Sequence, residues 1–279
     1  MSSAKHKVSI AHSPDPDDAF MFYALATGKV RSDIVTFEHV LGDIQTLNAE
    51  ARQGRYEMTA ISYHAYPYVS DLYILTSAGS SIGDGYGPII VSKHGLKPSE
   101  LKGKTIAVPG TLTTAYLALK LFEPDFKEKV VPFDKILETV ESGEADAGVV
   151  IHEGQLVYSQ TGLHNVLDLG AWWKQEHNLP LPLGANAILR SLPADVQQES
   201  RRCLSESIQY ALDNRAEALA YALEFGRGLD TQLADKFVGM YVNEYTTEMR
   251  PSVIESAQKL LDMGYETGLI PKRVQVEYV

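Results

Sequence analysis

Lys104-Thr-Ile-Ala-Val-Pro-Gly-Thr-Leu-Thr-Thr-Ala-Tyr116 decides the fold class. Its first part, Lys104–Pro109, is a short apolar run that reads as a strand. Gly110 turns the chain, and a helical pattern follows from about Thr113 to Phe122. A strand that feeds directly into a helix is the building unit of an α/β protein. The turn is also chemically suggestive. A glycine turn that opens a helix with hydroxyl side chains offers free N–H groups and hydroxyls to an anion. It lacks the Lys-Ser/Thr ending of a Walker motif, so a carboxylate or polyol suits it better than a phosphate. Capping by Thr111 or Thr113 explains the same residues without a ligand.

Outward from this stretch the unit recurs. Towards the amino end, strand Lys7–Ser13 leads into helix Asp17–Thr27, which Gly28 closes, and strand Val35–Leu41 leads into helix Ile44–Arg52. Strands Glu57–Ile61, Leu72–Ser77 and Pro88–Ser92 follow, with the glycine-rich Gly79–Gly87 as a loop. Towards the carboxyl end, strand Lys129–Pro132 precedes helix Phe133–Ser142. Strand Ala147–Ile151 precedes a helical His152–Thr161. Val166–Asp168 is extended, Ala171–Glu176 is a short helix, and Gly184–Leu189 is the last strong strand. After Pro193 the pattern is helical: Ala194–Phe225, Asp230–Tyr241 and Ser252–Thr267. Such alternation predicts α/β architecture with largely parallel sheets. Composition breaks near Val91–Leu96 and Leu179–Gly184 divide the chain into two α/β lobes. Residues 1–92 and 183–279 form a discontinuous first lobe, and 93–182 the second. Parallel sheets bind ligands beyond the carboxyl ends of their strands, which puts the site in the cleft between lobes.

Composition narrows the function. The chain has 279 residues, 44% of them hydrophobic, enough for one large core or two modest ones. With 25 Lys and Arg against 36 Asp and Glu, the net charge is −11, which argues against non-specific nucleic-acid or membrane-surface binding. An anionic small ligand remains compatible, because a pocket can differ from the average surface. The single cysteine, Cys203, permits no intrachain disulfide and sits in a helical run near no nucleophile motif. Met1–Lys7 is polar and basic and leads straight into the short apolar run Val8–Ala11, so neither a secretory signal nor a membrane span is expected. The expected location is the cytoplasm.

Four segments place polar groups just after a strand. Ser13-Pro-Asp-Pro-Asp-Asp18 admits three readings: a divalent-cation site, a helix capped by Asp17 or Asp18, or a cap that also touches a hydroxyl-bearing ligand. Ser62-Tyr63-His64 is an ordinary cap or a site edge. The Gly110 turn is the third. In the fourth, the apolar Val149-Val-Ile151 delivers His152 to a strand's carboxyl end, and imidazole titrates near neutral pH as a general base requires. His-Glu begins the HExxH zinc motif, but Leu156 stands at the second histidine position, so no metal site is expected. The other histidines show no ligand spacing, and His12 and His64 rank after His152. Trp172-Trp173 reads as helix packing or as an aromatic wall.

These segments carry a family resemblance. Ser13-Pro-Asp-Pro-Asp-Asp-Ala-Phe-Met-Phe-Tyr-Ala-Leu25, Ile61-Ser-Tyr-His-Ala-Tyr66, Gly87-Pro88 and Val108-Pro-Gly-Thr-Leu-Thr-Thr-Ala-Tyr116 are its first part. Ile151-His-Glu153, Asp168-Leu-Gly-Ala-Trp-Trp173 and Leu179-Pro-Leu-Pro-Leu-Gly184 complete it. In order and spacing the sequence resembles the 1,4-dihydroxy-6-naphthoate synthases of the futalosine route to menaquinone. The resemblance implies an α/β fold like that of type II periplasmic binding proteins, without the export signal. It implies a lyase that converts cyclic dehypoxanthinyl futalosine to 1,4-dihydroxy-6-naphthoate and a sugar fragment, without metal or organic cofactor. The family's proposed histidine base maps onto His152, and its ligand-binding serine and paired threonines onto Ser62, Thr113 and Thr114. Ser13 and Asp18 of the opening turn join them as expected substrate contacts. The family's opening motif often reads Ser-Pro-Cys-Pro-Asn-Asp, so Asp15 and Asp17 replace its cysteine and asparagine here. The expected partner is thus one small molecule, an aromatic-precursor carboxylate with a sugar moiety. The alternatives are a chorismate dehydratase of the same pathway and a non-catalytic cytosolic binding protein for a small carboxylate.

Overall fold

The structure is a computed structural model that describes residues 5–225 and 230–279. Residues 1–4, the start of the polar opening read from the sequence, lie outside the described residues. The chain begins β1 (His6–His12), α1 (Pro16–Ala26), β2 (Val35–Leu41), α2 (Ile44–Ala51), β3 (Met58–Ser62), α3 (Tyr66–Val69), β4 (Tyr73–Leu75) and β5 (Ser81–Gly83). It continues with β6 (Ile89–Ser92), β7 (Thr105–Val108), α4 (Thr114–Phe122), β8 (Lys127–Val130), α5 (Ile136–Glu141), β9 (Ala147–Val150) and α6 (Gly154–Val157). Then come β10 (His164–Asp168), α7 (Leu169–His177), β11 (Leu181–Leu189), α8 (Ala194–Asp213) and α9 (Arg215–Leu223). The tail holds α10 (Thr231–Tyr241), α11 (Glu244–Thr247) and α12 (Pro251–Glu266).

These strands make two sheets. One has the order β2-β1-β3-β11-β4, with β5 also pairing β11, and the other the order β10-β6-β9-β7-β8. The expectation of largely parallel sheets needs correction, because both sheets are mixed. β1 runs parallel to β2 and β3, but β11 is antiparallel to β3, β4 and β5. β7 is parallel to β8 and β9, but β6 is antiparallel to β9 and β10. The reason is topological. β6 is the first strand after the chain leaves the first sheet, and β11 the first after it returns. Each enters its sheet from the side facing the other sheet. The parallel strands run towards that side, so the entering strand must run away from it. By pairing, the crossings fall between β5 and β6 and between β10 and β11, so Ile89–Ser92 belongs with the second sheet.

Two further expectations change in detail. The Gly79–Gly87 segment contains β5. The helical run Ala194–Phe225 is broken at Asn214, whose φ of −117° and ψ of 44° leave the helical region, while its Nδ2 donates to the Tyr210 carbonyl at 2.9 Å. An amide that bonds its own backbone competes with helix continuation. α1 carries apolar side chains nearly all round, because it is packed between the first sheet and α8 and α9. Phe20, Met21 and Phe22 are each buried in that layer, worth roughly 1.5–3 kcal/mol apiece. Among the described residues no helix is long and apolar enough to cross a membrane.

Candidate active site

A cavity of about 750 Å³, part of it open to solvent, lies where the loops after β1, β3, β7 and β9 face one another. Ser13, Asp18, Ser62, Thr113, Thr114 and His152 all line it. The strands deliver them there because apolar runs end in polar turns at the same side of each sheet.

His152 leaves β9 with φ 55°, a left-handed backbone that a residue with a Cβ rarely adopts. The helical reading of His152–Thr161 therefore fails at its first residue, and α6 begins only at Gly154. The turn re-aims the imidazole. Its Nδ1 lies 3.1 Å from Asp15 Oδ2, its ring meets the edge of Phe133 at 4.8 Å, and its side chain is 17% exposed. Its Nε2 is buried and has no hydrogen-bond partner among the described residues. A nitrogen so placed is free to meet a ligand.

The opening turn is wired differently from a simple cap. Asp15, not Asp17 or Asp18, occupies the N-cap position of α1, and it makes no side-chain cap bond. Asp18 reaches back to accept from the Ser13 N–H at 2.8 Å, and the Ser13 hydroxyl donates to Asp15 Oδ2 at 2.8 Å. Ser13 thus holds two of the three carboxylates in place. Burial pushes the Asp18 carboxyl up to about 6, with the Ser13 N–H opposing the shift. Burial, followed by the nearby Asp18 and Asp15, raises Asp17 well above the ordinary carboxylate range. Asp17 also lines the cavity, where burial favours its protonated form.

Across the cavity the threonines cap as well as line. Thr113 Oγ1 donates to the Gly110 carbonyl at 2.8 Å and accepts from the Tyr116 N–H at 3.2 Å. Thr114 Oγ1 donates to the Leu183 carbonyl at 2.6 Å, bridging α4 to β11. The hydroxyl protons are therefore used inside the protein. What α4 offers a ligand is its first-turn N–H groups at Thr114 and Ala115, which have no intrahelical acceptor and line the cavity. Ser62 differs: Asn48 Nδ2 donates to its Oγ at 3.0 Å, which leaves its own hydroxyl proton to turn towards the cavity. No Lys or Arg is among the lining residues described, so anion binding here falls to neutral donors.

His12 and His64 stand apart from the cavity lining. His12 stacks on Phe22, contacts His39 through Nε2 at 3.1 Å, and is pushed down to about 3 by burial. His64 faces the Thr113 carbonyl at 3.2 Å and is lowered to about 4, again mainly by burial. Trp173 is fully buried and donates to Ser256 Oγ at 2.9 Å, so it packs rather than forming a ligand wall. Sequence reading missed Gln155, Asn186, Phe237 and Tyr241, all of which line the cavity. Asn186 had a signal, a polar residue inside an otherwise apolar strand. Its Nδ2 donates to the Gly79 carbonyl at 2.9 Å. Phe237 and Tyr241 had none, because apolar residues of an amphipathic helix read as core. No group of three or more His, Cys, Asp or Glu among the described residues is arranged to hold a metal ion.

A family model described as Menaquinone biosynthesis matches residues 8–266, a span that carries every one of these lining residues. The chain belongs to the menaquinone biosynthesis family. Two curated relatives reinforce the menaquinone biosynthesis assignment. The 1,4-dihydroxy-6-naphtoate synthase of Thermus thermophilus is 40% identical over 93% of this chain and 94% of its own. The 1,4-dihydroxy-6-naphtoate synthase of Streptomyces coelicolor is 34% identical over 95% of each chain. A crystal structure of a protein from Archaeoglobus fulgidus is 50% identical, with a TM-score of 0.92 over 95% of this chain and 99% of that one. More distant structures bear on the fold alone. The alkanesulfonate-binding protein of Xanthomonas axonopodis pv. citri, bound to MOPS, has a TM-score of 0.76 at 14% identity and 98% coverage of both chains. A Candida albicans protein described as having the generic periplasmic binding protein fold has a TM-score of 0.66 at 13% identity, over 98% of both chains. This member of the menaquinone biosynthesis family thus has the periplasmic-binding-protein fold that the sequence resemblance implies.

Proposed function

We propose that the chain is a 1,4-dihydroxy-6-naphthoate synthase, a cytoplasmic carbon–carbon lyase acting on cyclic dehypoxanthinyl futalosine. The observation that carries this reading is His152: its Nε2 is buried without a protein partner at a cavity wall, in a chain whose curated relatives bear that enzyme name. Nε2 takes a proton from the cyclic substrate. The hydroxyl oxygen that loses this proton becomes a carbonyl of the sugar fragment as the carbon–carbon bond to the ring breaks, and the electron pair of that bond passes into the ring, which aromatises. The proton then returns from Nε2 to a product, so no co-reactant is consumed. The substrate carboxylate is held by the first-turn N–H groups of α4 and by the Ser62 hydroxyl, which are neutral donors fixed before binding. The hydroxyls of the sugar fragment meet Asp17, Asp18 and Asn186, which line the same cavity and supply acceptors. The two sheets, joined by two crossings, close over the substrate and exclude water.

The test is incubation with cyclic dehypoxanthinyl futalosine, with chorismate as a parallel substrate, and mass analysis of the products. Release of 1,4-dihydroxy-6-naphthoate supports the reading. Loss of water from chorismate identifies a dehydratase instead, and recovery of both compounds unchanged identifies a binding protein.

A further inference from the structure

The base proposed above is built from both sheets. His152 follows β9 of the second sheet, and Asp15 lies in the turn after β1 of the first. Their side chains meet at 3.1 Å, through Asp15 Oδ2 and His152 Nδ1. Asp15 is 2% exposed, and the same Oδ2 accepts the Ser13 hydroxyl, so the carboxylate is fixed in direction. On the histidine side the backbone is fixed too. The Gln155 amide, in the orientation that satisfies its neighbours, accepts from the His152 N–H at 3.2 Å and donates to the Gly87 carbonyl at 2.7 Å. A carboxylate only accepts hydrogen bonds, so it selects the tautomer that carries the proton on Nδ1. That leaves the lone pair on Nε2, the nitrogen without a partner at the cavity.

We infer that Asp15 is a positioning residue that reaches across the cleft and holds His152 in the Nδ1-protonated tautomer, so that the base is assembled from both sheets. This rests on the reading of His152 as the base. The strained φ of His152 fits the same account: a left-handed residue with a Cβ persists only where its surroundings over-determine it.

The experiment combines kinetics with a spectroscopic readout. Asp15→Asn keeps the shape but accepts or donates equally well, so it no longer selects a tautomer. In this variant kcat should fall about 10²-fold or more while KM stays within a few-fold, and Asp15→Glu should recover part of the loss. Nitrogen-15 shifts of His152, assigned by the signal missing in His152→Ala, should show Nδ1–H with naphthoate product bound to the parent protein. They should show the same Nδ1–H preference without ligand, and a tautomer mixture in Asp15→Asn. The parent spectrum needs no variant, so poor folding of Asp15→Asn does not block the test. An Nε2-protonated imidazole in the parent complex overturns the inference. So does Asp15→Asn with near-normal kcat beside an inactive His152→Ala, an outcome that leaves His152 as the base. Near-normal turnover by His152→Ala instead removes the underlying reading itself.

Discussion

Asp18→Asn is the sharpest test of the electrostatics at the opening turn. The substitution keeps an oxygen that can accept from the Ser13 N–H and removes only the charge. Burial pushes the Asp18 carboxyl up to about 6, against an unfolded value of roughly 3.9. Two pH units at about 1.36 kcal/mol each give roughly 3 kcal/mol. This is an upper bound, since the carboxyl borders a cavity that water enters. A folded value above the unfolded one means that the folded state holds the proton more tightly. The associated stability is complete below about pH 4 and is lost as pH rises through about 6. Above pH 7 the parent protein therefore carries an ionised carboxylate at a cost that asparagine does not bear. Urea unfolding of both proteins at pH 4, 6 and 8 reads the effect directly. The variant should match the parent at pH 4 and exceed it by about 1–3 kcal/mol at pH 8, the gap opening between the two values. A gap independent of pH, or a variant less stable at pH 8, would refute the argument. A carboxylate kept at such a cost is what a ligand-binding role would leave behind.

Other predictions follow from single contacts. His152→Ala should lower kcat about 10²–10⁴-fold, with product affinity by calorimetry changed much less, because the donors that hold the ligand lie elsewhere. Thr113→Ala removes the side chain that accepts from the Tyr116 N–H and should cost about 1 kcal/mol in urea melts. Gly170→Ala would set a Cβ 1.9 Å from the Tyr86 carbonyl oxygen, so backbone must shift where the first crossing meets α7. A loss of about 2–3 kcal/mol is expected, and a melting temperature within a degree of the parent's would contradict it.

The sequence made the strand-to-turn logic legible because apolar runs ending in Ser, Thr, Asp or His announce the carboxyl ends of strands. That was enough to single out His152 and the segments Ser62–His64 and Gly110–Ala115 before any fold was known, while the resemblance picked Ser62, Thr113 and Thr114 within them. It could not show that Asp15 and His152 meet, since they are far apart in the chain and no periodicity links them. Strand direction was hidden for a similar reason. β6 and β11 look like any other apolar strand, and only the path between sheets makes them antiparallel. The site contribution of α10 was invisible because Phe237 and Tyr241 obey the rule for core residues. The helix break at Asn214 was legible in principle, as asparagine inside a helical pattern, but length and amphipathicity outweighed it.

β11 has a consequence for how the molecule is made. The strands of the second sheet all come from one contiguous stretch, Ile89 to Asp168, so that sheet can pair as soon as this stretch has left the ribosome. The first sheet cannot. β3 ends at Ser62 and waits for a partner that begins at Leu181, and β4 and β5 reach the sheet only through that partner. Closing so long a loop is entropically late, and until it closes one edge of β3 stands open. The strands of the inserted unit can therefore pair first and bring the two ends of the enclosing unit together, while its helices α4 and α7 still await α12. Nascent chains stalled before residue 181 should protect the second sheet from proteolysis and leave β3 exposed. Release past Leu189 should close the first sheet in one step.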